Sequence, residues 1–225
     1  MEDRSVDLIS KKGILFMIDN GRVINYKPWL GDFFSPFYDS LMSNYVFPKK
    51  LSGDIKKHIK ILKDELSCIK DKNVLELGTG SGNITGIISK KNCYEGIDIS
   101  YRLLKIALLK FRNAGFNDYR LYMASAENLP ICDKSIDLCI CNLSINFFND
   151  LDLAIKEIKR VVRNGGSFFC SVPITERIKP GSNVRGRLLS EKELKDIFEK
   201  YGFKFKSLTY KNGAIFYFRA NNMKG

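Results

Sequence analysis

A chain of 225 residues, 44% hydrophobic and 28% charged, is long enough for one α/β domain with a substantial core and short for two. No run of about 18 apolar residues occurs, and the start Met1-Glu2-Asp3-Arg4 is not a secretory signal, so no membrane span and a cytoplasmic location are expected. The net charge of +12 implies attraction to anions; nucleic acid is not favoured as a partner, because the lysines of 49–72 alternate with Asp54, Asp64, Glu65 and Asp71 as on a solvated helix face, and no aromatic-plus-basic motif is visible.

Residues 14–18 and 22–26 are apolar runs flanking Asp19-Asn20-Gly21, a strong hairpin signal. This hairpin is expected to cover a ligand site or to pair with another subunit. Residues 28–48 are aromatic-rich (Trp29, Phe33, Phe34, Phe37, Tyr38, Tyr45, Phe47), which reads as a lid over a cavity or as ordinary packing. We therefore divide the chain into an N-terminal hairpin and lid segment, 1–50, and a main domain, 51–225, within one compact unit. Ile55, Ile59, Leu62, Leu66 and Ile69 recur at helical spacing over 54–69. His58, the single histidine, lies off that stripe and is expected at the surface.

An apolar run at 73–77 carries one acid, Glu76, and breaks into Gly78-Thr79-Gly80-Ser81-Gly82 before a predicted helix over 83–91. A strand, a glycine turn and a helix start let a nucleotide-like ligand lie against bare backbone. A Walker loop would need Gly-Lys-Ser/Thr, but Gly82 is followed by Asn83-Ile84; the nicotinamide fingerprint needs G-x-G-x-x-G, but the third glycine comes early. The strand near 94–98 ends in Asp98, 20 residues after Gly78, where a carboxylate can accept hydrogen bonds from both hydroxyls of a ribose. Its bland alternative is the N-cap of the helix at 101–114, a role open also to Ser100.

Strands near 119–124, 136–142 and 166–172 alternate with a helix at 151–163, and Gly165 fits a left-handed C-cap of that helix. Such alternation predicts a parallel sheet with helices on both faces. Ser190 and Glu193 form a capping box that opens a helix ended by Gly202, and 203–209 and 214–220 read as a terminal hairpin through Asn212-Gly213. The six cysteines include no C-x-x-C pair; Cys139, Cys141 and Cys170 read as buried reduced thiols, and no metal site is expected.

Glu76-x-Gly78-x-Gly80-x-Gly82, Asp98, Ser125-Ala126-Glu127-Asn128-Leu129-Pro130, the strand ending at Asn142 and the turn Arg163-Asn164-Gly165-Gly166 occur in the order of the class I S-adenosylmethionine-dependent methyltransferases. The chain resembles this family over 74–172, most closely its small-molecule branch with the ubiquinone/menaquinone methyltransferases, whose early Tyr-Asp is matched by Tyr38-Asp39. The resemblance implies a Rossmann-like, doubly wound, mostly parallel sheet of seven strands with helices on both faces and an antiparallel last strand. It implies S-adenosylmethionine as cofactor, bound by Glu76, Gly78, Thr79, Gly80, Ser81, Gly82, Asp98, Ile99, Ser125, Ala126, Glu127, Asn142 and Tyr38, with S-adenosylhomocysteine as product. Ser125 stands where the family commonly has Asp, while Ala126 supplies its N–H whatever its side chain. The implied reaction is methyl transfer to a small, possibly anionic, acceptor.

Methyl transfer from a sulfonium needs donor and nucleophile held in line, and a base only for a protonated acceptor, so the sequence names no catalytic residue. Asn142 is followed by Leu-Ser-Ile, which departs from the Asn-Pro-Pro-Tyr of enzymes that methylate amino groups of bases or glutamine. Arg177, Lys179, Arg185 and Arg187 cluster after the fifth strand, and Arg185 or Arg187 is a candidate anchor for an anionic acceptor. RNA or protein methylation and a non-catalytic cofactor-binding module stay open as alternatives. The acceptor and the oligomeric state are not legible.

Overall fold

The computed structural model describes residues 7–27 and 35–223. Its strands are β1 (Leu8–Lys11), β2 (Ile14–Asp19), β3 (Arg22–Val23), β4 (Asn73–Leu77), β5 (Cys93–Asp98), β6 (Tyr119–Met123), β7 (Ile136–Asn142), β8 (Val162–Pro173), β9 (Phe203–Asn212) and β10 (Ile215–Asn222). The helices are α1 (Tyr38–Leu41), which runs on into wide π-helical turns over Met42–Lys50, then α2 (Ile55–Leu66), α3 (Tyr101–Asn113), α4 (Leu151–Val161) and α5 (Glu191–Lys200).

The sheet order is β1-β2-β6-β5-β4-β7-β8-β10-β9, with β3 on the side of β2. From β6 to β8 all pairings are parallel, and β10 runs antiparallel to both β8 and β9. The chain thus steps outward from β4 in one direction and restarts at β7 in the other, which makes the β4/β7 gap the topological switch point. Alternate strand residues serve opposite faces. Leu75, Leu77, Cys139 and Cys141 pack with Ala154, Ile155 and Ile158 of α4 and Phe198 of α5. Val74, Leu138 and Ile140 pack with Ile61 and Leu62 of α2 and Ala107 and Phe111 of α3. Parallel strands buried on both faces explain why β4 and β7 read as near-continuous apolar runs.

The expected hairpin forms between β2 and β3, β1 also pairs antiparallel with β2, and β2 joins the main sheet in parallel with β6, so this segment extends the sheet. Ile14 and Phe16 are buried in one core layer and Met17 in the other, as a strand inside a sheet requires. Two local expectations are corrected further along the chain. The helix expected over 83–91 is a single 3-10 segment, Asn83–Gly86, followed by turns. Ile84, Thr85, Ile87 and Ile88 are β-branched, Gly86 falls in the span, and the Thr85 hydroxyl bonds Gly82 O at 2.9 Å, all of which work against a regular helix. Gly165 has the left-handed φ of +79°, but α4 is capped at Val162 and the chain turns straight into β8. Gly165 lies where the β7–β8 register shifts, so its conformation serves a bulge.

Candidate active site

The turn after β4 hangs on β5: the N–H groups of Gly78 and Thr79 donate to Ile97 O at 2.8 and 3.0 Å. At Gly78, φ is +69° and a Cβ would stand 2.5 Å from the Ser144 side chain, so only glycine lets the loop after β7 close onto this turn. A Cβ on Gly80 would meet nothing nearer than 4.0 Å, at Gly78 O and the Tyr38 ring, so this residue lies on the open side of the turn. Its N–H donates to Asp98 Oδ2 at 2.8 Å. Asp98 Oδ1 accepts Ser100 N at 2.8 Å, and the cap of α3 is the Ser100 hydroxyl, which accepts Leu103 N at 3.2 Å. The carboxylate at the end of β5 is therefore bound to the glycine turn and is not the helix cap. Ile99, next to it, is half-buried.

Glu76 is buried beneath the turn, its Oε2 accepting the hydroxyls of Tyr94 and Thr79. Burial pushes its carboxyl up to about 7; the two hydroxyls pull it down and Asp98 adds to the rise. Above the turn, the Asp39 carboxylate accepts Ser81 Oγ at 2.6 Å, Asn83 Nδ2 at 2.8 Å and Lys110 Nζ at 2.5 Å. Burial raises the Asp39 carboxyl, but these donors outweigh it and hold it below the usual carboxylate range. The segment carrying Tyr38 is thereby latched to the glycine turn. Trp29, Phe33 and Phe34 of the aromatic stretch lie outside the described residues.

Beyond β6, the Ser125 hydroxyl donates to Glu127 Oε2. Glu127 Oε1 accepts Asn149 N at 2.7 Å and Asp150 N at 3.2 Å, tying this loop to the start of α4. Tyr26 Oη accepts Ser125 N at 3.0 Å. Among the described residues the N–H of Ala126, a buried residue, has no hydrogen-bond acceptor.

Residues 75–170 match the family described as a methyltransferase domain. The chain is 35% identical over 99 residues to a malonyl-[acyl-carrier protein] O-methyltransferase of Hamiltonella defensa, covering 44% of this chain and 36% of that protein. It is 32% identical over 108 residues to a ubiquinone/menaquinone biosynthesis C-methyltransferase of Rickettsia bellii, covering 44% of each. The chain thus spans less than half the length of these curated relatives. Over this stretch the chain is similar to S-adenosylmethionine-dependent methyltransferases, in line with the resemblance read from its motifs. Its fold also matches the crystal structure of a SAM-dependent methyltransferase from Aquifex aeolicus, with a TM-score of 0.64 and 16% identity over 84% of this chain and 98% of that one.

The residues around the glycine turn fit S-adenosylmethionine. The open side of the glycine turn at Gly80 leaves room that a Cβ would fill, Asp98 sits beside it, and the unpaired Ala126 N–H offers a donor to an adenine edge. Among the described residues no group of His, Cys, Asp or Glu is arranged to hold a metal, and no helix is long and apolar enough to cross a membrane.

Arg185 and Arg187 are exposed. Their loop is pinned behind β7: Asn146 Nδ2 donates to Arg185 O at 2.8 Å, and Arg187 N donates to Asn146 O at 2.7 Å. Arg187 lines a cavity of about 280 Å³ with Asp152, Glu193 and Lys200, between α4 and α5, to which no glycine-turn residue contributes. Arg177 is used by the terminal hairpin, donating to Ile215 O at 2.7 Å and Tyr210 O at 3.2 Å.

His58 is the largest correction. It is 2% exposed, its Nδ1 lies 2.8 Å from Tyr217 Oη, and its Nε2 lies 3.0 Å from Asn142 Oδ1. Off the apolar stripe of α2 it meets a polar row on the sheet. No sequence signal near residue 58 reports a partner 84 positions away on β7. Burial brings its imidazole down to about 4, with the Asn142 hydrogen bond opposing. A histidine held neutral below its ordinary 6.5 leaves the unfolded chain binding more protons, so its contribution is present above pH 6.5 and lost as pH falls towards 4. By about pH 5 this costs on the order of 2 kcal/mol. Urea unfolding of the native protein and of His58→Gln at about pH 7 and pH 5 should show the native protein's stability relative to the variant falling by about this amount on acidification.

Proposed function

We propose that this chain transfers a methyl group from S-adenosylmethionine to a small-molecule acceptor. The observation that carries the reading is the placement of Glu76, Gly80 and Asp98 around one turn at the switch point of the sheet, where open α/β sheets bind their ligands. Asp98 would accept the ribose hydroxyls, and Glu76 would face the cationic amino-acid end. Gly78, Thr79, Gly80, Ser81 and Gly82 would supply backbone, with Ile99 and Tyr38 as walls. Ser125, Ala126 and Glu127 would form the adenine side: the Ser125 hydroxyl gives its hydrogen to Glu127 and keeps lone pairs for the adenine amino group. When bound, the cofactor supplies a methyl carbon that an acceptor lone pair attacks while the carbon–sulfur bond pair leaves with sulfur.

A small acceptor group is supported by the relatives, one named for O-methylation of malonyl-[acyl-carrier protein] and one for C-methylation in ubiquinone/menaquinone biosynthesis. Net charge and the exposed Arg185 and Arg187 favour an anionic one, in a cytoplasmic setting. Calorimetric titration with S-adenosylmethionine, S-adenosylhomocysteine, NAD and ATP tests the reading. Binding of the first two alone, at micromolar concentration, is expected; no binding of either would bring forward the non-catalytic alternative. Tight, salt-sensitive RNA binding would instead favour a macromolecular substrate.

A further inference from the structure

Besides Glu76, three polar side chains interrupt the apolar sheet face under α2, and His58 of α2 meets them. Asn142, Ser171 and Tyr217 are register partners across β7, β8 and β10, and His58 bridges the ends of that row. Ser171 and Tyr217 are fully buried, and Asn142 is half-buried at the carboxyl end of its strand. A buried polar row is costly unless every member is paired, and its pairing fixes which atoms face outward.

The direction of each hydrogen bond follows from one fixed end. Asn212 is gripped by the backbone of Asp54: its Oδ1 accepts Asp54 N at 2.8 Å and its Nδ2 donates to Asp54 O at 3.0 Å. Its amide cannot be flipped, so Nδ2 is the donor to Tyr217 Oη at 3.3 Å. Among the described residues, His58 Nδ1 is then the only acceptor for the Tyr217 hydroxyl hydrogen. His58 must carry its own hydrogen on Nε2 and donate it to Asn142 Oδ1. Ser171 Oγ also donates to that oxygen, at 2.6 Å. With Oδ1 taken by two donors, the Asn142 amide is locked with its Nδ2 hydrogens unspent: among the described residues they have no acceptor.

Asn142 stands at the β4/β7 switch point, two residues before Ser144, which packs on Gly78 and donates to Leu77 O at 2.8 Å. Between them Leu143 holds a left-handed φ of +56°, a conformation that bulky residues adopt under strain and that clusters at functional sites.

We infer that Asn142 presents its amide N–H donors to the methyl acceptor and so selects an acceptor bearing an anionic oxygen, a carboxylate or a phenolate, with His58, Tyr217 and Ser171 as positioning residues. This rests on the methyltransferase reading above. The acceptor oxygen contributes a lone pair to the new carbon–oxygen bond while the carbon–sulfur pair stays on sulfur. No proton moves, so no base is required, and His58, whose free ring nitrogen faces Tyr217, is not one.

The test is nitrogen-resolved NMR on the full chain. His58 should show its hydrogen on Nε2; a hydrogen on Nδ1 would mean that Asn142 displays its carbonyl and would overturn the inference. The Asn142 side-chain amide signals are identified by their loss in Asn142→Asp. Acetate, 4-nitrophenolate and methylammonium are then titrated with and without S-adenosylhomocysteine. One of the two anions should move those signals, and which one separates carboxylate from phenolate acceptors. A response to methylammonium alone, or to none, would overturn the proposal. Tyr217→Phe and Ser171→Ala should each keep S-adenosylhomocysteine affinity within about twofold while weakening the anion by about threefold or more, the value of one lost hydrogen bond. Unchanged anion affinity in both would reduce the row to a structural role. The ring measurement needs no cofactor, so failure to bind S-adenosylhomocysteine would count against the methyltransferase reading and leave this arm decisive by itself.

Discussion

Asp98→Ala should weaken S-adenosylhomocysteine binding by roughly a hundredfold or more, the equivalent of about 3 kcal/mol for two lost hydrogen bonds to a charged acceptor. The same carboxylate holds Gly80 N at 2.8 Å and Ser100 N at 2.8 Å, so its loss also releases the turn that the cofactor would lie on. Asp98→Asn separates the two effects: its amide oxygen can still accept one backbone N–H, and it should fall between the native protein and Asp98→Ala. Because α3 is capped by Ser100, neither variant removes the cap, and circular dichroism should show native helix content in both. A change below about fivefold in a folded Asp98→Ala protein would mean that no ribose is bound at this carboxylate.

Glu76→Gln should raise stability and lower cofactor affinity together. Glu76 titrates near 7 in the folded protein against 4.5 ordinarily, so between those values the folded state holds more protons than the unfolded one. The Glu76 contribution to stability is therefore highest below 4.5 and declines as pH rises to 7, by about 3 kcal/mol in total. Glutamine keeps an oxygen for the Tyr94 and Thr79 hydroxyls without a charge to bury. The variant should melt on the order of 5–10 °C higher at about pH 8, with the difference vanishing at acid pH. In the native protein, S-adenosylhomocysteine affinity should improve as pH rises through about 7, because the ionised carboxylate is the form that attracts its ammonium group; Glu76→Gln should lose that dependence. A variant with unchanged melting and an unchanged pH profile of binding would show that Glu76 is ionised without penalty and does not face the cofactor.

The cradle was readable in the chain because its signals are local. Gly78, Gly80 and Gly82 fall within five residues of one another, Glu76 lies just before them, and Asp98 ends the next strand, so spacing alone carried strand, turn and acid. Periodicity and apolar runs likewise placed α2 to α4 and the strands β4 to β8, and the Ser190–Glu193 capping box and the Asn212-Gly213 turn placed α5 and the terminal hairpin, since each of these signals lies in neighbouring positions. Glycine spacing misled at Gly165, where a left-handed residue serves a bulge in β8. The 83–91 segment failed as a helix because β-branched residues and Gly86 overrode the pattern set by the preceding turn.

What the chain could not reveal is whatever depends on register between distant strands. His58, Asn142, Ser171 and Tyr217 come together only because β7, β8 and β10 pair in one register and α2 lies across that face. The same holds for Asp39, which reaches Ser81 and Lys110 from a segment outside the matched domain. The fold class and the glycine turn with its two acids were legible in the chain, since both arise from residues that are neighbours along it. Tertiary structure decided that the single histidine is buried and neutral, which way the Asn142 amide faces, and that β2 extends the sheet, because each depends on partners that contribute no signal at the residue itself.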